Sequence, residues 1–336
     1  MNSSNPIATR YMGLDLRSPL VVSACPLSSN VENIVRMEDS GAGAVVMFSL
    51  FEEQIREEAR LLEKIGESTT NSFAEAGDFF PAADAYELGS TRYLELIRQA
   101  KERVDMPVIA SLNGCTPEGW IDYATQIEQA GADAIELNIF FIPADLEIAG
   151  AEVERRYIQI VHQVCEAVRL PVAMKINPYL SATGHIVRSM VDAGAAGLVL
   201  FNRLYQPDLD TERLKISNDL RLSEPNEIRL PLMWIAALHG RVNASLAATT
   251  GVQGGEEVIK YLLAGADVVM TASSLYKHGI EHLRTMHNQL AAWMERKQFQ
   301  SVDNFRGILS QRNIADTTGF ERANYIRILR KAKEGS

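Results

Sequence analysis

Short apolar runs recur along the chain, each preceded by a turn rich in Gly or Pro and ending in a polar residue or a glycine. Each run is about five or six residues long and nearly continuous, which is typical of strands buried on both faces of a parallel sheet. The eight runs are LVVSA at 20–24, AVVMFS at 44–49, VIASLNG at 108–114, ADAIELN at 132–138, VAMKINP at 172–178, AAGLVLFN at 195–202, ASLAATTG at 244–251 and ADVVMTASS at 266–274.

Stretches with apolar residues at i, i+3 and i+4 lie between these runs and predict helices. The predicted helices span 31–40, 90–104, 116–130, 152–168, 185–193, 230–240, 255–264 and 277–297. The tripeptide AGA recurs at 130–132, 193–195 and 264–266, where a helix ends at glycine and a strand begins. Eight repeated βα units predict an α/β fold, a closed (β/α)8 TIM barrel. An open doubly wound sheet is disfavoured, because no GxGxxG follows the first strand.

Two insertions interrupt the repeats, one after the second strand and one after the sixth. The first, 50–89, is long, acidic and rich in loop residues, and the second, 203–229, contains two alternating runs, 213–217 and 219–223, that could pair as a hairpin. Both emerge where barrel active sites are built, at the carboxyl ends of strands. Residues 298–336 predict a helical tail packed outside the barrel. No linker is visible, so we expect one domain over 1–336.

Composition narrows the class of protein. Hydrophobic residues make up 46% of the chain and charged residues 23%, which is typical of a globular protein. The polar first residues lack the apolar core of a signal peptide, and no apolar run approaches the roughly 18 residues of a membrane span. Three cysteines without a CxxC pair argue against disulfides and zinc and favour a reducing, cytoplasmic location. The net charge of −10 disfavours a nucleic-acid partner.

The carboxyl ends of the eight runs would share the mouth of the barrel. They carry mostly amides, hydroxyls and glycines, without a carboxylate pair or a histidine cluster, so a metal site and glycosidase chemistry are poorly supported. These strand ends are Ser23, Ala24 and Cys25, Phe48 and Ser49, Asn113 and Gly114, Asn138, Lys175, Ile176 and Asn177, Asn202, Thr249, Thr250 and Gly251, and Thr271, Ala272, Ser273 and Ser274.

Small residues follow the last two strands and precede helices. Thr250-Gly251 and Ala272-Ser273 would expose backbone N–H groups, the usual phosphate site of such barrels. The alternative is that small residues merely permit tight turns. Because the feature occurs on two adjacent strands, it favours the phosphate site.

One lysine and two asparagines are the candidates for chemistry at the mouth. Lys175 ends an apolar strand, where an ammonium is costly without a partner; at the mouth it could stabilise negative charge that develops on a bound ligand. The alternative is a structural pair with a carboxylate such as Glu136. Asn138 and Asn202 could hold a planar polar ring or simply tie loops together.

Several motifs in the order of the barrel strands resemble the dihydroorotate dehydrogenase family, class 1 in particular. They are GLDLRSPLVVSA at 13–24, ELN at 136–138, PVAMKINPY at 171–179, ADVVMTASSLYKHG at 266–279 and FQSVDNFRGIL at 299–309. The resemblance extends over 11–310. It implies a barrel that binds FMN and, by analogy with class 1, a homodimer.

The resemblance also implies a role for each matching residue. The FMN phosphate would lie on Gly251 and on Ala272-Ser273, and Ser23 and Ala24 would line the isoalloxazine. Lys175 would face its N1/O2 edge, and Asn113, Asn138 and Asn202 would contact flavin or substrate. Ser49 and Thr250 join this cofactor-binding set. Lys175, Asn138 and Asn202 are the candidate catalytic residues.

The chain departs from the family at the substrate side of the pocket. Phe48 stands where the family has a lysine, Phe141 where class 1 has its catalytic cysteine, and Pro143 where a substrate-binding asparagine is usual. Thr250-Gly251 replaces Gly-Gly, which is a mild change. The flavin half is therefore expected to be kept and the orotate half remodelled with an apolar wall of Phe48, Phe140 and Phe141.

A base would have to come from elsewhere. Cys115 is the best candidate, although a packed thiol is the more expected interpretation, and Tyr179 and Asp145 are weaker ones. In the insertion after the second strand, Asn71, Ser72 and Phe73 are candidates for contact with the ligand, and Asn71, Asn138 and Asn202 form the candidate substrate set.

Three functions remain open. The leading one is an FMN-dependent oxidoreductase that transfers hydride between a small planar substrate and flavin. The second is a genuine dihydroorotate dehydrogenase of pyrimidine biosynthesis with a relocated base. The third is a flavin-binding electron-transfer subunit with little small-molecule turnover, for which an acidic surface would suit a protein partner. A tRNA-acting dihydrouridine synthase is disfavoured by the net charge of −10.

Overall fold

Eight parallel strands close into a barrel in the computed structural model, which describes residues 5–52, 89–114, 118–139, 141–203, 207–217 and 220–320 and isolated residues from 324 to 330. The barrel strands are β3 (Leu20–Val22), β4 (Ala44–Phe51), β5 (Val108–Gly114), β6 (Ala134–Ile139), β7 (Val172–Ile176), β8 (Gly197–Leu200), β11 (Ser245–Ala248) and β12 (Val268–Thr271). They pair in chain order, and β12 returns to β3. The predicted (β/α)8 barrel is confirmed.

Helices alternate with the barrel strands. They are α1 (Val31–Asp39), α2 (Ser90–Arg103), α3 (Glu118–Ala130), α4 (Gly150–Ala167), α5 (Thr183–Asp192), α6 (Arg229–Leu238), α7 (Gly255–Ala264), α8 (Ser273–His278) and α9 (His282–Lys297). Within the described residues, seven of the eight predicted helices are found with ends shifted by at most two residues. The predicted helix 277–297 was wrong at its start: the chain forms α8, breaks at Gly279 with φ +85°, and resumes in α9.

The strands separate two apolar layers because successive side chains point to opposite faces. Ile109, Ala173 and Val199 point into the barrel, whereas Val108 and Ala110 pack against the surrounding helices. Both faces are buried, which explains why the strands read as continuous apolar runs rather than as alternating ones.

A hairpin that the sequence analysis did not predict closes the amino end of the barrel. Strands β1 (Thr9–Tyr11) and β2 (Leu14–Leu16) pair antiparallel before the first barrel strand. Tyr11, Met12 and Leu16 are buried with the inward-facing barrel residues. The hairpin therefore fills the end of the barrel opposite the strand ends that the sequence analysis singled out.

The predicted hairpin after the sixth barrel strand exists with different partners. β9 (Asp208–Asp210) pairs antiparallel with β10 (Lys215–Ser217), so the end of the run 213–217 pairs with residues before it. Of the second run, the structure describes 220–223, which form no strand there. Asp210 accepts hydrogen bonds from the backbone N–H of Glu212 and Arg213, which turns the chain immediately after β9. Residues 220–224 are free of that pairing and run to the barrel mouth instead.

The C-terminal segment packs against the barrel helices, as expected, but it is not helical over 298–320. It forms turns and short 3-10 segments at Val302–Asn304 and Thr317–Phe320. Phe305 is buried, and the backbone N–H of Gly307 donates to Leu262 of α7. The preceding helix α9 ends at its C-cap Gln298, whose φ of +59° is left-handed, and Ser301 and Asn304 then cap the start of a separate 3-10 turn. Across the described residues, no helix is both long and apolar enough to cross a bilayer.

Candidate functional site

A cavity of about 460 Å³ opens at the carboxyl ends of the barrel strands. All of the residues that the sequence analysis assigned to cofactor binding line this one cavity. They are Ser23, Ala24, Ser49, Asn113, Asn138, Lys175, Asn202, Thr250, Gly251, Ala272 and Ser273. The fold brings them together because parallel strands of a closed barrel end on the same side.

Two turns with small residues meet at one end of the cavity. The turn after β11 carries Thr250 and Gly251, with φ +77° and +76°, a region that β-branched residues rarely adopt. A Cβ on Gly251 would lie 2.9 Å from the backbone nitrogen of Ile228, so only glycine fits there. Tyr261 holds the turn from behind: its hydroxyl donates to the carbonyls of Thr249 and Thr250 at 3.1 and 2.9 Å.

Ser223 joins the two turns and was missed by the sequence analysis. Its hydroxyl donates to Ser273 Oγ at 3.0 Å and accepts from the backbone N–H of Gly251 at 3.3 Å. Gln253 and Lys277 both donate to its carbonyl oxygen. Ser223 is distant in sequence from both turns, so only the fold reveals the contact.

Lys175 reaches the cavity from β7 and is 6% exposed. Its ammonium lies 3.3 Å from Glu136 Oε1 and 3.5 Å from Ser23 Oγ. The alternative raised for this lysine, a pair with Glu136, is therefore present. The pair and a role at the cavity are compatible, because the carboxylate lies inside the barrel while Lys175 lines the cavity.

Asn138 and Asn202 are joined across the barrel mouth. Asn202 Nδ2 donates to Asn138 Oδ1 at 2.8 Å, and both residues line the cavity. The bond leaves one amide oxygen and one amide nitrogen of the pair for a ligand. Asn113 lines the same wall and is 7% exposed.

Aromatic and apolar side chains form part of the cavity, but not all those expected. Phe48 and Phe51 of β4, with Phe201 and Met270, are in the lining. Phe48 packs edge-on against Tyr93, with the ring centroids 5.1 Å apart.

Phe141, which was expected in this apolar wall, is not among the described residues that line the cavity. Its ring packs against the outer core, and the guanidinium of Arg156 from α4 lies 5.3 Å above it. This contact with Arg156 joins residues 15 positions apart, so the strand pattern could not show it. Phe140 lies outside the described residues.

The thiol of Cys25, one of the predicted strand ends, lies in the cavity. Cys25 is 7% exposed, and burial raises the pKa of its thiol to about 11, against an opposing effect of backbone groups and of Lys175. The structure does not place the other candidate bases in the cavity. Tyr179 and Asp145 are exposed and do not line the cavity, while Cys115 and Asn71, Ser72 and Phe73 lie outside the described residues.

Three positively charged side chains lie near the turn that contains Ser223, and each forms an ion pair with a carboxylate. The sequence analysis missed them, because their partners lie in the loop segments after β8. The pairs are Arg203–Glu227 at 2.9 Å, Arg221–Asp208 at 2.6 Å and Lys277–Glu224 at 2.7 Å. Arg203 and Arg221 line the cavity.

The family model for dihydroorotate dehydrogenase matches residues 7–294, which include the whole barrel. The chain belongs to the dihydroorotate dehydrogenase family. The catalytic subunit of dihydroorotate dehydrogenase B (NAD(+)) of Methanothermobacter thermautotrophicus is 26% identical over 309 residues, covering 90% of this chain and 98% of the relative.

Two further relatives support the same placement. The corresponding catalytic subunit of Thermoplasma acidophilum is 24% identical over 307 residues, with 90% and 98% of the two chains covered. The chloroplastic dihydropyrimidine dehydrogenase (NADP(+)) of Arabidopsis thaliana is 24% identical over 336 residues, with 91% and 77% covered. The dihydroorotate dehydrogenase family thus consists of oxidoreductases that act on CH–CH bonds, and its enzymes are flavoproteins.

Proposed function

We propose that this protein is an FMN-dependent oxidoreductase that exchanges hydride between the flavin and a small planar substrate. The observation that carries the proposal is the convergence of the eleven residues predicted to bind the cofactor on one cavity. The donors also fit FMN chemically: hydroxyls and a glycine turn at one end, a buried ammonium and three amides at the other.

Different residues would bind different parts of FMN. The N–H of Gly251 and the hydroxyls of Ser223 and Ser273 are donors for a phosphate. Lys175 supplies positive charge where the isoalloxazine would gain electron density. Asn138 and Asn202 hold each other and present the remaining amide atoms. Bound FMN would supply the two-electron chemistry that no side chain here provides.

The substrate side supports a ligand less anionic than orotate. Phe48 lies in the cavity at the position where the family resemblance implies a lysine. The dihydroorotate and dihydropyrimidine dehydrogenases among the relatives suggest a cyclic amide whose ring carries a reducible C–C bond. A substrate of this class could accept a hydrogen bond from Asn138 Nδ2, donate one to Asn202 Oδ1 and pack against Phe48.

A second candidate is dihydroorotate dehydrogenase chemistry in which Cys25, rather than the family's usual base, exchanges the proton. Cys25 is a titratable group in the cavity, and the ammonium of Lys175 acts on its thiolate form. Because the pKa of the thiol is raised to about 11, it suits proton donation in the reductive direction better than proton abstraction.

A cytoplasmic homodimer fits the family resemblance, and electrons could leave the flavin through a partner protein. Several relatives are catalytic subunits, which is consistent with such a partner.

The test is an anaerobic visible spectrum of the protein reconstituted with FMN, recorded before and after addition of dihydroorotate and of uncharged dihydropyrimidines. We expect a bound flavin band that an uncharged dihydropyrimidine bleaches and dihydroorotate does not. Rapid bleaching by dihydroorotate would establish the second candidate instead. If no flavin binds, the proposal is wrong.

A matched pair of variants locates the cofactor. Ser273→Asp puts a carboxylate at the proposed phosphate end, and like charges in contact cost several kcal/mol, so FMN affinity should fall by a factor of about ten or more. Asn288→Asp adds the same charge on the exposed face of α9 and should leave the affinity unchanged. Equal affinities in the two variants would exclude this end of the cavity.

A further inference from the structure

An ion pair lies inside the barrel, directly beneath the cavity. Lys175 Nζ and Glu136 Oε1 are 3.3 Å apart, and the two side chains are 8% and 0% exposed. In the strand register, Asn138 pairs with Lys175 and Glu136 pairs with Ala173. Glu136 is thus one inward-facing position deeper than Lys175, and it does not line the cavity.

The neighbouring titratable groups are neutral, so the Glu136 carboxylate is the counter-charge of the Lys175 ammonium. The titratable groups that face the pair from other described elements are Cys25, after β3, Tyr11, in the amino-terminal hairpin, and Tyr93, on α2. Burial raises the pKa of all three, so each is neutral near pH 7. A buried charge is tolerated only when an opposite charge compensates it, so Lys175 and Glu136 depend on each other.

Two buried polar atoms lie on the side of the ion pair that faces the amino-terminal hairpin. Glu136 Oε2 and the Tyr11 hydroxyl have no hydrogen-bond partner among the described residues. The Tyr11 hydroxyl lies 3.2 Å from where a Cβ on Gly197 would be, and Gly197 pairs through Ala173 with Glu136 on one rung of the barrel. The carboxylate of Glu136 also contributes to the raised pKa of the Tyr11 hydroxyl, so the two groups are close enough to interact.

We propose that Glu136 is a positioning residue of the cavity, the internal counter-ion that keeps Lys175 charged at the strand end facing the bound cofactor. The inference deepens the proposed function and rests on it only for the identity of the group above Lys175. Glu136 itself touches neither substrate nor cofactor. It acts through the ammonium, whose charge would otherwise be lost to desolvation.

The first test needs no cofactor. In protein labelled with 15N-lysine, the Nζ signal of Lys175, assigned by its loss in Lys175→Met, is followed against pH. Glu136→Gln keeps the shape and removes the charge, so Lys175 should lose its proton at a pH lower by about one unit or more. Glu136→Asp, which restores the charge, should recover most of the difference. An unshifted titration in Glu136→Gln would overturn the proposal.

Glu38→Gln is the matched control. Its carboxylate accepts hydrogen bonds from the backbone N–H of Asp105 and Met106 at 3.1 and 2.8 Å, at the outside of the barrel. An amide oxygen can accept both bonds, so this variant should leave the Lys175 signal unchanged. If it moves the signal as far as Glu136→Gln does, the effect is general and the proposal fails.

A second readout concerns the flavin. In FMN-loaded Glu136→Gln the midpoint potential should acquire an extra dependence on pH where Lys175 loses its proton, which the wild type lacks. A shifted NMR titration without any change in the potential would overturn the claim that Lys175 faces the cofactor. If the wild type binds no FMN, the proposed function fails while the NMR titration still decides the role of Glu136.

If Glu136→Gln does not fold, the melting temperatures of two other variants test the proposal. Lys175→Met leaves a buried carboxylate without its partner, whereas Lys175→Met with Glu136→Gln removes both charges. The counter-ion model predicts that the double variant melts at a higher temperature than Lys175→Met alone. A double variant that is the less stable of the two would contradict it.

Discussion

At the scale of single residues, burial and charge decide which groups of the cavity can react. Cys25 illustrates this, because it lies in the cavity and yet burial raises the pKa of its thiol to about 11. Lys175 and backbone groups near Leu27 and Ser28 oppose that rise without cancelling it. The thiol is therefore protonated at physiological pH and is an acid rather than a nucleophile.

Alkylation of Cys25 tests this protonation state. In a Cys115→Ser/Cys165→Ser background, the rate of reaction with iodoacetamide should rise about tenfold per pH unit and level off only near pH 11, because the thiolate is the nucleophile. The reaction is followed by mass spectrometry over a pH series in which the fold is checked by circular dichroism. A plateau near pH 8 would show that the thiol has an ordinary acidity.

At the scale of elements, the turn after β11 shows why backbone shape matters as much as side chains. Gly251 combines a φ of +76° with a backbone nitrogen 2.9 Å from the place of a Cβ. Gly251→Ala should therefore lower the free energy of unfolding by about 1–3 kcal/mol, and it should weaken FMN binding by moving an N–H donor. Gly150→Ala is the control, since a Cβ there meets nothing within 4 Å. Equal chemical denaturation curves for the two variants would contradict this account.

The same elements show what the sequence could and could not predict. Strand ends such as Asn138 and Lys175 were predictable because each βα repeat leaves its own local pattern, and a closed barrel brings the ends together. Ser223 was not predictable as a link between the turns, since it meets Ser273 across 50 residues. The partner of β10 was also missed, because the choice between two flanking runs depends on the turn at Asp210 and not on alternation.

At the scale of the whole molecule, the barrel is closed at one end and open at the other. The β1–β2 hairpin buries Tyr11, Met12 and Leu16 against the inward-facing residues, so the cavity has a floor. The chain before the first barrel strand is polar in part, so the sequence pattern did not predict that a hairpin there would close the barrel. Glu136 and Lys175 lie between this floor and the cavity, and the same packing that excludes water from below makes their charges interdependent.

The β1–β2 hairpin at this end of the barrel should contribute measurably to the free energy of unfolding. Leu16 is 2% exposed, so Leu16→Ala removes buried methyl groups and should lower the free energy of unfolding by about 2–5 kcal/mol. Leu214→Ala makes the same change at a side chain that is 89% exposed and should cost about 0.5 kcal/mol or less. Urea denaturation followed by tryptophan fluorescence compares the two variants. A similar small loss in both would mean that the barrel is stable without its hairpin, and that the charges above it are shielded by the strands alone.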